Sequence, residues 1–217
     1  MRILELFSGT GSIGHHFATQ GWDVVSLDSD PRTEATIKHD ILTWDHTVYP
    51  PGHFDAIWAS PCCTHYSCAR RGAKTPRNLE LADSLVLRSL EIINYFRPKA
   101  WFIENPQTGL LKDRPFMAGI PFTDFDYCRY SDWGYRKRTR IWSNIPMTGQ
   151  LCLGQLGCPN MIARRHKTTA QQGKNKTNDG MYGETLSVRQ LHRIPPSLCA
   201  VFETYARFAS LRVVADG

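Results

Sequence analysis

The chain sets small groups of reactive or ligand-binding residues at the ends of short apolar runs. Arg2-Ile3-Leu4-Glu5-Leu6-Phe7 leads into Ser8-Gly9-Thr10-Gly11-Ser12, where two glycines let the backbone bend tightly and approach a ligand ahead of a helix. Asp28, followed by Ser29, closes a second run, where a carboxylate can accept both hydroxyls of a ribose. Asp40-Ile41 stands at the end of a third. If the runs are parallel strands, Glu5, Asp28 and Asp40 converge with the Phe7 to Gly11 turn on one nucleoside-bearing cofactor. The same pattern serves a nicotinamide dinucleotide equally well, and a purely structural turn would also produce it.

A fourth run, Phe54 to Ala59, ends in Ser60-Pro61-Cys62-Cys63-Thr64-His65-Tyr66-Ser67. An unperturbed thiol, with a pKa of about 8.5, is only a few per cent thiolate at neutral pH, and nearby cations such as Arg70, Arg71, Lys74 and Arg77 raise that fraction. A buried structural pair is the plainer use of two cysteines. Ala100 to Ile103 then runs into Glu104-Asn105-Pro106, a carboxylate at the matching strand end, with Pro106 forcing Asn105 out of the helical region. A helix cap or loop hydrogen bond would use Glu104 as well. Cys152, Cys158 and His166 are zinc-ligand types, but their wide spacing and the want of a fourth ligand nearby predict ordinary thiols, a phosphate-facing histidine and no metal.

Charge is unevenly distributed over the 217 residues. Residues 1–63 hold three basic and eight acidic side chains, yet the whole chain carries +6. The excess lies in three windows: 64–77, 129–140 and 161–176, the last with Arg164, Arg165, Lys167, Lys174 and Lys176. A basic stripe on an otherwise acidic protein is the electrostatic footprint of a nucleic-acid binder, while solvated faces account for such windows more simply. No apolar run approaches the roughly 18 residues that span a bilayer, and the opening Met1-Arg2-Ile3-Leu4 predicts no secretory leader. Seven cysteines, two of them adjacent, suit a reducing intracellular compartment better than a disulfide framework.

Strand-like runs alternating with helical spacing predict an α/β, doubly wound, mostly parallel sheet. The clearest helix spans 78–96, with Leu81, Leu85, Ile92 and Phe96 as its apolar stripe and Arg97-Pro98 as its stop. Residues 1–146 are expected to form the core and 147–186, glycine-rich and weakly periodic, a small inserted module. Residues 187–217 are expected to return as a helix, with Pro195-Pro196 near its start.

Leu6-Phe7-Ser8-Gly9-Thr10-Gly11, Ser60-Pro61-Cys62-Cys63, Glu104-Asn105 and Arg136-Lys137-Arg138-Thr139-Arg140, in this order, resemble the motifs of the cytosine-5 DNA methyltransferase family, and most closely its small viral or phage members. The resemblance covers residues 1–146. It implies a Rossmann-like, S-adenosylmethionine-dependent core with a small target-recognition module. Cofactor contacts would come from Glu5, Phe7, Ser8, Gly9, Gly11, Asp28, Ser29, Asp40, Ile41 and Pro61. It further implies that Cys63, aligned without gaps, adds to carbon 6 of a flipped cytosine, that Glu104 holds a proton at ring nitrogen 3, and that Arg138 and Arg140 contact the base and orient the carboxylate. S-adenosylhomocysteine is the implied product.

The resemblance also makes 64–77 a mobile catalytic loop, so that Ser67, Arg70, Arg71 and Lys74, with Arg164, Arg165 and Lys167 of the module, would meet DNA, expected to be double-stranded. Thr64, Pro106 and Arg136 depart from the family's usual Gln, Val and Gln, and its Asn-containing C-terminal cofactor motif is not recognisable around 195–205. A module of about 40 residues predicts short target sites or weak sequence preference. RNA cytosine-5 transfer, a catalytically silent relative and transfer of a modified group are the other readings.

Overall fold

The structure is a computed structural model that describes residues 1–162, 164–170, 173–176 and 182–212. Its centre is a seven-stranded sheet made of β1 (Arg2–Leu6), β2 (Asp23–Asp28), β3 (Ile37–Lys38), β4 (Ala56–Ala59), β5 (Ala100–Pro106), β6 (Phe122–Asp126) and β7 (Arg138–Ser143), in the order 3-2-1-4-5-7-6. Neighbours from β3 through β5 are parallel, and only β7 runs antiparallel to both its neighbours. Strand order reverses between β1 and β4. In an open α/β sheet that reversal leaves a crevice at the carboxyl ends of the two strands.

Both faces of the sheet are covered, which explains why its central strands read as continuous apolar runs. Ile3, Ala56, Trp58, Phe102 and Ile141 point to the face packed by α1 (Ser12–Thr19) and, near the C-terminus, by α4 (Pro196–Arg212). Leu4, Leu6, Ile57, Ala59 and Ile103 point to the other face, packed by α2 (Leu79–Phe96). The side chain of Asn78 caps α2 by accepting from Leu81 N at 2.9 Å, and Arg97 ends it in the left-handed conformation at φ 49°. One position differs from the spacing argument: Leu81 is 43% exposed, and Ser89 is fully buried on the inward face, its hydroxyl donating to Leu85 O at 2.9 Å. That bond satisfies the hydroxyl locally, so a small polar residue fits the packed face.

The strands of 147–186 lie outside the main sheet. The β8 (Met161–Ile162) and β9 (Arg165–His166) pair is one antiparallel ribbon, and β10 (Gly173–Lys176) with β11 (Tyr182–Leu186) is another. A short α3 (Val188–His192), opened by a reciprocal Ser187–Gln190 capping box, precedes α4. The expected C-terminal helix is therefore two helices, with Pro196 as the first residue of α4. Glu203 of α4 accepts from Trp22 Nε1 at 2.9 Å and from Arg207 Nε at 2.7 Å, which anchors α4 beside α1.

Candidate active site

The turn after β1 holds three consecutive odd-numbered residues in the left-handed region: Phe7 at φ 59°, Gly9 at 49° and Gly11 at 69°. Glycine adopts that region freely, whereas for Phe7 it costs on the order of 1–3 kcal/mol, a strain that marks functional turns. Behind the turn, a Cβ added to Gly14 of α1 would sit 2.5 Å from Glu5 Oε2, so only glycine lets the helix approach this carboxylate. Glu5, Ser8, Gly9, Gly11, Gly14 and Arg189 line the resulting cleft. Arg189 of α3 lies in the C-terminal stretch whose sequence shows no recognisable cofactor motif.

Burial pushes the Glu5 carboxyl up to about 7, against the opposing backbone N–H groups of Gly14 and Ile13. An unfolded glutamate ionises near pH ~4.3, so the folded state holds this proton more tightly. The stability Glu5 contributes is complete below the unfolded value and is lost as pH rises to about 7. Urea unfolding should therefore show the stability of the wild type relative to Glu5→Gln falling by about 3 kcal/mol between pH 4 and 8. A pH-independent difference would contradict the buried, protonated Glu5.

The other expected cofactor contacts divide. Asp28 Oδ2 accepts from Gly9 N and Oδ1 from Asp30 N, both at 2.8 Å, so the carboxylate fixes the glycine turn while each oxygen keeps a lone pair. Ser29 is exposed beside it. Asp40 is exposed and closes its own turn by accepting from Leu42 N at 3.0 Å. The side chain of Ile41 does not face the cleft: it is buried in the core under α2, and its carbonyl accepts from Arg88 Nε at 3.1 Å. Pro61 is buried, with its carbonyl accepting from Asn105 Nδ2 at 3.0 Å.

That last bond ties the Cys62-Cys63 loop to the strand end carrying Glu104. Cys62 is exposed and donates to Thr64 Oγ1 at 3.2 Å, whereas Cys63 is half-buried. Burial and then the Glu104 carboxylate push the Cys63 thiol up to about 11, while the Lys137 ammonium opposes them. Cys63 and Glu104 are thus electrostatic neighbours across adjacent strands β4 and β5. Glu104 is 8% exposed; Thr139 Oγ1 donates to its Oε1 at 2.6 Å, and Lys137 Nζ stands 3.8 Å away. His192 of α3 also faces this group: burial and the Lys137 charge lower its pKa, and Glu104 opposes them.

Arg138 and Arg140 do not join Glu104. Side chains alternate along a strand, and Glu104 shares its face with Thr139, across from Phe125 and Pro106. The two arginines lie on the opposite face, where each forms a two-bond fork with an aspartate of β6. Arg138 binds Asp126 at 2.9 and 2.7 Å, and Arg140 binds Asp124 at 2.8 and 3.0 Å. Lys137, Thr139 and His192 occupy the position expected of the arginines. A reading of the basic motif by two-residue alternation could have found the first two.

The loop after Cys63 is held from within. Ser67 Oγ accepts from Ala69 N at 3.2 Å, and Arg70 Nη2 donates to Thr75 O at 2.9 Å and to Thr75 Oγ1 at 2.6 Å. Lys74 is exposed. In the module, Arg164, Arg165 and Lys167 are exposed at and beside the β8–β9 ribbon. The side chains of Arg71, Lys174 and Lys176 lie outside the described residues. Cys152, Cys158 and His166 do have a fourth ligand type beside them, contrary to the expectation from spacing: Cys128, distant in the chain, stands with them.

A family model described as C-5 cytosine-specific DNA methylase matches residues 1–114, which contain the glycine turn, Cys63 and Glu104. The chain belongs to this family. Over 212 residues it is 37% identical to the "Probable DNA (cytosine-5)-methyltransferase" of Frog virus 3, covering 91% of this chain and 96% of the viral one. It is 27% identical over 148 residues to the type II methyltransferase M.DdeI of Desulfomicrobium norvegicum, covering 60% of this chain and 34% of that enzyme. Among solved structures it resembles DNMT2 of Spodoptera frugiperda (16% identity, TM-score 0.46, 73% of this chain and 57% of that one). It also resembles the methyltransferase EhMeth of Entamoeba histolytica (15% identity, TM-score 0.49, 70% and 57%). The chain spans about half the length of these solved structures. Membership places it among the methyltransferases of cytosine carbon 5 in DNA.

Proposed function

We propose that the chain methylates carbon 5 of cytosine in DNA through a covalent Cys63 adduct. The pairing of half-buried Cys63 with Glu104 at the ends of adjacent parallel strands carries this reading. The cleft formed by the strained glycine turn, Gly14 and buried Glu5 fits a nucleoside-bearing cofactor: the amides of Ser8, Gly9 and Gly11 are held within the turn by Leu27 O, Asp28 and Ser8 O, so the glycines serve close approach, and Asp28 beside the turn keeps spare lone pairs for a ribose. S-adenosylmethionine bound there would supply an electrophilic sulfonium methyl.

The residues of the chain do the rest. The Cys63 thiolate forms a bond to carbon 6 as Glu104 delivers a proton to ring nitrogen 3, which places the ring's electron density on carbon 5. After carbon 5 has accepted the methyl, loss of its proton to solvent restores the double bond and breaks the bond between sulfur and carbon 6, releasing the Cys63 thiolate, and ring nitrogen 3 returns its proton to Glu104. Lys137 favours the thiolate, and Thr139 orients Glu104. The cytosine must leave the base stack, at a cost of a few kcal/mol that phosphate contacts offset. Methyl transfer from tritiated cofactor to matched DNA and RNA, followed by nucleoside analysis, tests the reading. Label in 5-methylcytosine from DNA is the expected result; faster turnover on RNA, or label elsewhere, would overturn it.

The exposed cations of the β8–β9 ribbon are assigned to the phosphates of duplex DNA. Neutralising Arg164, Arg165 and Lys167 should weaken binding to all sequences and flatten the logarithmic salt dependence by nearly one unit per lost contact. An unchanged salt slope in the triple variant would remove the ribbon from the interface.

A further inference from the structure

Four soft ligands from three separate parts of the chain meet at the edge of the sheet. Cys128 lies on the single turn Tyr127–Arg129 that follows β6, Cys152 and Cys158 flank the turn Gly154–Leu156, and His166 ends β9. Their Sγ and nitrogen atoms all lie within 4.8 Å of one another. His166 Nε2 stands 3.5 Å from Cys152 Sγ and 3.5 Å from Cys158 Sγ. A tetrahedral zinc, with Zn–S of about 2.3 Å and Zn–N of about 2.0 Å, separates sulfur from nitrogen by about 3.5 Å and sulfur from sulfur by about 3.8 Å. One ring nitrogen cannot make a full hydrogen bond to both thiols, whereas a central cation engages all four atoms. Gly154 N also points at Cys152 Sγ from 3.3 Å.

The surroundings need such a tie. Leu151, Leu153 and Leu156 are 44%, 53% and 93% exposed, so the Cys152 to Cys158 turn buries little apolar surface of its own. Its remaining anchors are polar and converge on the same corner. Cys152 N donates to Asp126 Oδ2 at 2.8 Å, and Asn160 Nδ2 donates to Cys128 O at 3.0 Å and to Ser131 O at 2.8 Å. We propose that Cys128, Cys152, Cys158 and His166 form a structural zinc site of three thiolates and one imidazole that fastens the Cys152–Cys158 turn and the β8–β9 ribbon to the end of β6. Asp126, two residues before Cys128, also holds Arg138. The site therefore fixes the β6–β7 corner from outside the reaction centre.

Elemental analysis of the full chain, purified without chelator and exchanged into metal-free buffer, should find about one zinc per chain, as for a metal that supplies folding energy. A thiol-capping mercurial should release it, and cobalt(II) in its place should give the visible absorption of a tetrahedral thiolate site. Cys128→Ser and Cys158→Ser should bind less than about a tenth of an equivalent, whereas Cys62→Ser should keep its zinc. Should those variants not fold, wild-type protein decides: chelation should lower its melting temperature, and added zinc should restore it. A folded wild type that binds neither zinc nor cobalt(II) in this way, or one with a Cys152–Cys158 disulfide under reducing conditions, would overturn the proposal.

Discussion

Cys63→Ala should abolish methyl transfer, by about a thousandfold or more, while cofactor affinity and the circular dichroism spectrum stay near those of the wild type. Cys62→Ala should keep its activity. The two thiols are adjacent in sequence but not in environment: Cys62 is exposed and turned to Thr64, and Cys63 is half-buried, where burial first, then Glu104 and the opposing Lys137, act on its ionisation. A truncated side chain at 63 leaves the loop's backbone anchors in place, since Tyr66 N and Ser67 N donate to the Cys63 carbonyl at 3.1 and 2.8 Å. Rates with tritiated cofactor on both variants check the assignment. An active Cys63→Ala beside an inactive Cys62→Ala would reverse it.

Glu104→Gln should have two consequences of opposite sign. Methyl transfer is expected to fall by about a hundred- to ten-thousandfold, because an amide can hydrogen-bond ring nitrogen 3 without supplying a proton, while DNA binding should persist. The same substitution removes the carboxylate charge that helps raise the Cys63 thiol to about 11. Alkylation of Cys63 by iodoacetamide at neutral pH, followed on its peptide by mass spectrometry, should then be faster than in the wild type. Unchanged alkylation in the variant would separate the two groups.

Legibility in the sequence follows from how local each signal is. The strands β1, β2, β4 and β5 announce themselves as apolar runs, the glycine turn and Cys63 lie within a few residues of their ends, and Asn78 and Arg97-Pro98 bound α2 by local chemistry. Residues whose placement depends on strand pairing are not legible in this way. Which face of β7 meets Glu104 depends on its antiparallel insertion between β5 and β6, and that register sends Arg138 and Arg140 to Asp126 and Asp124. Lys137 and Thr139 take the inner face as a result. Arg189 and His192 arrive from α3, far along the chain, and Cys128 joins Cys152, Cys158 and His166 only because β6 ends beside their loop. Ile41, at a strand end that suits ligand contact, turns into the core because the face below α2 needs an apolar side chain there.

The covalent intermediate on Cys63 can be trapped. A DNA duplex carrying 5-fluorocytosine in place of cytosine lacks the carbon-5 proton whose loss releases the enzyme, so turnover stops with the base attached to the nucleophile. Incubation with S-adenosylmethionine should yield a denaturation-resistant protein–DNA adduct, and digestion should place the modified base on the sulfur of Cys63. No adduct on a duplex whose unfluorinated counterpart is methylated, or an adduct mapped to Cys62, would contradict the account.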